Sequence, residues 1–118
     1  MQTESLPKIL VNFKSSDFEE LVIEAIDQTL SKLGMGIKQT FYHFLEVHYK
    51  LSKEDVPNRI GDFVDALEKI FGTGASLIEI NIVKTLRQKI PSFLYIAKSS
   101  DLVFEDYLEL LRRHFENL

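Results

Sequence analysis

The stretch 75–91, ASLIEINIVKTLRQKIP, decides the fold class of this chain. From Ile78 to Ile82 apolar and polar residues alternate, which is the pattern of a half-buried strand. Leu86 and Ile90 instead continue only the helical spacing, and the segment is longer than a typical strand. We therefore predict a helix that ends before the final proline, which cannot continue it.

A helix in this stretch carries apolar residues on more than one side. Val83, Leu86 and Ile90 lie along one side, whereas Leu77 and Ile80 lie on others. A helix on the surface of a bundle needs only one apolar stripe, so the extra residues need a second covering. We expect this helix at the centre of the bundle, crossed by the second helix, or at a contact between two copies of the chain.

Four more segments show apolar residues at the helical spacing of three and four. Their approximate ranges are 17–33, 36–50, 58–71 and 101–117. Gly34 and Gly72 are suited to end the first and third segments, because glycine readily takes the left-handed conformation that follows a helix. The apolar residues of the first segment cover more than one stripe, so we expect it to pack against two or more neighbours.

The sequence therefore predicts an all-α fold, a small five-helix bundle that forms one domain over residues 1–118. Residues 1–15 are expected to form an arm of undetermined structure, with a short extended segment as one alternative. The short apolar pieces 9–13 and 93–97 fit helical turns as well as a small pair of strands. No linker exceeds about ten residues, which argues against a second domain.

The composition excludes several classes of function. The 118 residues include no Cys, which excludes disulfide scaffolds, thiolate zinc sites and iron–sulfur clusters. The 14 Lys and Arg against 18 Asp and Glu give a net charge of −4, which argues against general binding of polyanions. No apolar run reaches the ~20 residues of a membrane span, and the start of the chain lacks a basic signal-peptide region. We expect a cytoplasmic protein without membrane contact.

No catalytic motif appears, so we assign no catalytic residue, no metal ligand and no cofactor. His43 and His48 lie roughly 140° apart on a helix and cannot share a metal ion. His48 falls on the apolar side of the second helix, so we expect it to be buried and hydrogen-bonded. Together with Phe41, Phe44 and His114 it forms a candidate pocket for a small ligand.

The region 80–100 carries only positive charges. Its four cations are Lys84, Arg87, Lys89 and Lys98. They can contact phosphates, or they can form a seam with carboxylates of the first helix such as Glu24 and Asp27, within the chain or across a dimer. No aromatic residues alternate with these cations on one face, so nucleic acid is not the favoured partner.

The candidate interface consists of three apolar and two basic residues of the fourth helix. These residues are Leu77, Ile78, Ile80, Lys84 and Arg87. We expect them to bury more than ~1,000 Å² in a homodimer with two-fold symmetry.

Four stretches resemble a known family. They are FEELVIEAID at 18–27, IKQTFY at 37–42, ALEKIFGTGA at 66–75 and LVFEDY at 102–107. Together they resemble the archaeal Nitrosopumilus output domain of the fifth type, a family of unknown function. The resemblance implies a small helical module, found alone or attached to signalling domains, and it favours a helix at residues 75–90.

The sequence thus predicts a non-enzymatic interaction or signalling-output module of archaeal type, a homodimer whose protein partner is unknown. Two alternatives stay open. One is a DNA-associated regulator that uses the basic end of the fourth helix. The other is a small-ligand sensor that uses the pocket of aromatic and histidine residues.

Overall fold

The computed structural model describes residues 15–90 and 104–117, and over these residues the chain is all-α. The five helices are α1 Ser15–Leu33, α2 Met35–Tyr49, α3 Ile60–Phe71, α4 Ala75–Lys89 and α5 Phe104–Glu116. Short 3-10 helices over Lys53–Asn58 and Gly72–Gly74 join α2 to α3 and α3 to α4. The predicted five-helix bundle is confirmed, and so is the helix at 75–90. Residues 1–14, which include the piece 9–13, and the piece 93–97 lie outside the described residues.

The bundle is built around α1. This helix packs most extensively against α4 and α2, and it also contacts α5 and the first 3-10 helix. Its buried apolar residues are Phe18, Val22, Ala25, Ile26 and Leu30. The prediction of several neighbours for α1 is confirmed, whereas the prediction that α4 lies at the centre is wrong. One side of α4 remains exposed, and α2 packs mainly against α1 and α3 rather than crossing α4.

A cluster of phenylalanine rings joins α2, α3 and α5 in the core. The Phe41 ring meets the edge of Phe63 at a centroid distance of 5.6 Å and lies 6.0 Å from Phe71. Phe63 in turn lies 6.5 Å from Phe104. Aromatic rings bury large apolar areas and gain further stability from tilted and edge-on contacts, so this cluster fixes the three helices against one another.

Arg59 holds the end of α2 against the start of α3. Its Nη2 donates to the carbonyl oxygen of Tyr49 at 2.8 Å, and its Nη1 donates to that of Lys50 at 3.1 Å. Its Nε donates to Asp62 at 2.9 Å. The last carbonyls of a helix have no partner within the helix, and a cation at this end is also favoured by the helix dipole.

Thr29 on α1 is the one buried polar side chain in the described part of the chain, and its hydroxyl has no hydrogen-bond partner there. Thr29→Val keeps the shape and removes the unpaired hydroxyl, so we expect the free energy of unfolding to rise by about 1 kcal/mol. Urea denaturation measures the change. Thr40→Val, at an exposed position of α2, is the control and should change stability little. A less stable Thr29→Val protein would contradict the prediction.

Candidate functional site

The outer face of α4 presents two large apolar side chains to solvent. Leu77 and Ile80 are 62% and 52% exposed, and residues three apart on a helix are neighbours. Lys84 is exposed one turn further on, and Arg87 is half-buried. Ile78 is only 6% exposed and belongs to the core of its own chain, so its place in the predicted interface is wrong. It lies on the same side of α4 as Ile82 and Leu86, which are also buried and follow it at a spacing of four.

The predicted seam between basic α4 and acidic α1 exists within the chain. Lys89 Nζ lies 3.4 Å from Glu24 Oε1, so these two charges are already paired. Asp27 is also paired within its own chain, with Lys38 and Lys53. Lys84 and Arg87 have no ion pair among the described residues, and Lys98 lies outside them. The expectation that Lys84 or Arg87 reaches Glu24 or Asp27 across a dimer is therefore not favoured.

Asp27 is the centre of a polar network that links α1, α2 and the first 3-10 helix. Its carboxylate lies 3.2 Å from Lys38 Nζ and 3.1 Å from Lys53 Nζ. The Tyr42 hydroxyl donates to the same carboxylate at 3.2 Å, and Lys53 also lies over the Tyr42 ring. Burial raises the pKa of Asp27, but the hydrogen bonds and charges of Lys53 and Lys38 outweigh it, so the pKa lies below its ordinary value.

This network makes the stability of the protein depend on pH. Because the pKa of Asp27 is lower in the folded than in the unfolded chain, its contribution is present above the unfolded value of about 3.9 and is lost as the pH falls through the folded pKa. Asp27→Asn should therefore destabilise the protein at pH 7, and the difference from wild type should shrink below about pH 4. Thermal melts across this range measure the effect, with exposed Glu46→Gln as control. A difference that is constant with pH would contradict the prediction.

The four residues of the predicted pocket do not come together as one site. Phe41 is a core residue, Phe44 is half-buried, and His48 is exposed with its ring tilted against that of Phe44 at a centroid distance of 4.4 Å. His114 is half-buried on α5. The predicted burial of His48 is wrong because the inward side of α2 is rotated by roughly 60° from the apolar stripe, towards Tyr42 and the Asp27 network.

A cleft opens instead where α1, α5 and the junction before α3 meet. Its volume is about 290 Å³. It is lined by Phe18, Val22, Pro57, Asn58, Ile60, Glu105, Leu108, Glu109 and Arg112. Apolar side chains from α1, the first 3-10 helix, α3 and α5 line it, and Asn58, Glu109 and Arg112 are among its polar groups. No residue of the predicted pocket lines it.

Arg112 is the cation of this cleft. Its guanidinium lies 5.0 Å from the centre of the Phe18 ring, a cation–π distance. Its nitrogens lie 3.8 Å from Glu19 Oε2 and 3.7 Å from Glu109 Oε1, and Nη2 donates to the Pro57 carbonyl at 3.5 Å. Arg112 is thus held by two carboxylates and one aromatic face.

Comparisons with known proteins do not identify a function for this chain. No family model, curated protein or solved structure matches the chain. The resemblance to the archaeal Nitrosopumilus output domain therefore stays a prediction. The exposed face of α4 and the cleft at Arg112 are the features from which a function can be argued.

Neither a metal-binding group nor a membrane-spanning helix is found among residues 15–90 and 104–117. No three His, Asp or Glu side chains there are arranged to hold a metal ion. None of the helices there combines the length and the apolar character needed to cross a bilayer.

The cleft is not predicted from the sequence, and only part of its lining follows a sequence pattern. Glu105, Glu109 and Arg112 are spaced by four and three, which places them on one side of α5. Their neighbours Phe18 and Pro57 are distant in the sequence, so the spacing alone indicates a charged face and not a cavity.

Proposed function

We propose that this chain is a non-enzymatic interaction module that binds a second copy of itself through the outer face of α4. The observation that carries the proposal is the adjacent pair Leu77 and Ile80, both more than half exposed. Their removal from water favours association by about 25 cal/mol per Å² of apolar surface. Adjacent exposed apolar side chains of this kind are typical of contact surfaces.

A two-fold contact with antiparallel α4 helices suits the charges of this face. In a two-fold dimer the same residues meet around the axis, so Leu77 and Ile80 of each copy cover one another. Lys84 and Arg87 follow the apolar pair along α4. The antiparallel arrangement places the basic ends of the two copies at opposite edges of the contact, where their charges stay solvated and far apart.

A second exposed apolar surface lies on the α1–α2 side of the molecule. Its members are Leu33, Met35, Ile37 and Val47. Three of them surround the sharp junction at Gly34, and Val47 stands apart near the other end of α2, so they do not present one compact face. We therefore assign the self-contact to α4 and use Val47 as the comparison position in the test.

The signalling-output role, the archaeal type and the cytoplasmic location are parts of the proposal that rest on the sequence alone. The resemblance supports the first two.

Sedimentation equilibrium of the purified chain tests the proposal. We expect a dimer with a dissociation constant in the micromolar range, which corresponds to about −8 kcal/mol. The association should persist at high salt, because the contact is apolar. A protein that remains monomeric at several hundred micromolar would overturn the proposal.

A further inference from the structure

The cleft at Arg112 has the size and the mixed lining of a site for a small molecule. Its volume of about 290 Å³ lies just below the range of typical ligand pockets, about 300–1,000 Å³, and suits a small ligand. Phe18, Ile60 and Leu108 give it an apolar floor, and charged groups of α5 lie beside them. Such a site fits a ligand with an apolar body and one charged end.

The charges around the cleft favour a positive ligand. Glu105 and Glu109 line it together with Arg112, and Glu19 lies beside that cation. Glu109 is paired with both Arg112 and Arg113, so the uncompensated charge of the lining is that of Glu105. Arg112 already lies between Glu19 and Glu109, so it is a poor site for an added anion. Glu105 has no ion pair among the described residues. Its carboxylate is therefore available to a cation.

The surroundings of Glu105 add to the negative potential. Burial raises the pKa of Glu79 on α4, and the charges of Glu68 and Glu105 raise it further. These carboxylates come from three different helices, so the bundle itself brings them together. A cation that approaches Glu105 is attracted by all three groups.

Gly61 allows the Glu105 carboxylate to lie close to the start of α3. A Cβ atom at position 61 would lie 3.2 Å from Glu105 Oε2, which is closer than nearly all such contacts. A methyl group there shifts the carboxylate by a few tenths of an ångström. A substitution of Gly61 therefore changes the position of the Glu105 carboxylate without removing its charge.

We propose that this cleft binds a small organic cation, a primary amine that carries an aromatic or aliphatic body. The ammonium group donates to Glu105, and the body lies on Ile60, the one apolar lining residue that is only half-buried. Charge-assisted hydrogen bonds to carboxylates fix the charged end, and burial of the body supplies the rest of the affinity. The inference is independent of the self-association through α4.

Titration of the full chain with 2-phenylethylamine, followed by NMR chemical shifts, tests the proposal. We expect saturable shifts at Phe18, Ile60 and Leu108, with a dissociation constant of about 1 mM or below. The anion 3-phenylpropionate has the same ring and a similar length, and it should bind at least about tenfold more weakly, because its charge meets the carboxylates.

Three variants locate the binding. Glu105→Gln should weaken amine binding about fivefold or more, because it removes the unpaired carboxylate of the site. Glu109→Gln should weaken it less, because that carboxylate is already paired with Arg112 and Arg113. Gly61→Ala should weaken it as well, although alanine is a better helix former than glycine. Exposed Glu46→Gln on α2 is the matched control and should leave the affinity unchanged.

Several results would overturn the proposal. These are the absence of shifts up to about 10 mM amine, equal or tighter binding of 3-phenylpropionate, and shifts confined to another part of the molecule. Wild-type affinity in both Glu105→Gln and Gly61→Ala would do the same. Because these two variants change the site by different means, poor folding of one leaves the other to decide.

Discussion

Phe41→Ala is expected to lower the free energy of unfolding by about 3–5 kcal/mol, which is the usual loss for a buried phenylalanine. The Phe41 side chain is 1% exposed, and its ring contacts Phe63 and Phe71. Removing the ring leaves a cavity between α2 and α3 and breaks the edge-on contact to Phe63. A domain of this size has a total stability of about 5–15 kcal/mol, so the loss is a large part of it.

Phe44→Ala is the matched control, since it removes the same ring three residues further along α2. Phe44 is half-buried at the surface, where its ring is tilted against that of exposed His48. We expect a loss of about 1 kcal/mol, because the truncated side chain leaves no enclosed cavity. Urea denaturation of the two variants measures the contrast. Equal losses would contradict the placement of Phe41, and not Phe44, on the inward side of α2.

Ile80→Asp is expected to turn the proposed dimer into a monomer. Each copy in a two-fold contact carries the substitution, so one mutation places two carboxylates near the axis and removes two apolar side chains. Burying unpaired charges at an interface is costly, and we expect the dissociation constant to rise at least a hundredfold, about 3 kcal/mol. Sedimentation of variant and wild type at equal concentrations measures the change.

Val47→Asp is the control for this experiment. Val47 is 50% exposed on α2, against 52% for Ile80, so both substitutions replace a similarly exposed β-branched residue with aspartate. Val47→Asp should leave the dimer intact. Both variants should unfold at nearly the wild-type temperature, since neither side chain belongs to the core. A dimer that is lost with Val47→Asp and kept with Ile80→Asp would move the contact to the α1–α2 side.

The helices could be predicted because their signals are local. Gly34 and Gly72 have φ angles of 128° and 58°, and both stand where the sequence predicts a helix to end. The sequence predicts the helix at 75–90 because Leu86 and Ile90 continue a helical spacing that no strand of ordinary length explains. The helical spacing and the ends of helices depend on residues that are close in the sequence, so they can be predicted from the sequence alone.

The orientation of α2 could not be predicted in the same way. Its inward side includes Lys38 and Tyr42, which apolar spacing assigns to the surface. They turn inward because Asp27, on another helix, accepts hydrogen bonds from both. The cleft could not be predicted for the same reason: Phe18, Pro57 and Arg112 are distant in the sequence and meet only after three separate elements have packed.

The clamp that Arg59 forms also determines where the chain tolerates added sequence. The connection between α2 and α3 looks like a loop, yet Leu51, Val56 and Pro57 are buried in it, and Arg59 ties its two ends together. An inserted peptide there would separate groups that hold the bundle closed. The turn Gly72–Gly74 is exposed along its whole length, so a reporter peptide or a new chain end belongs at that turn.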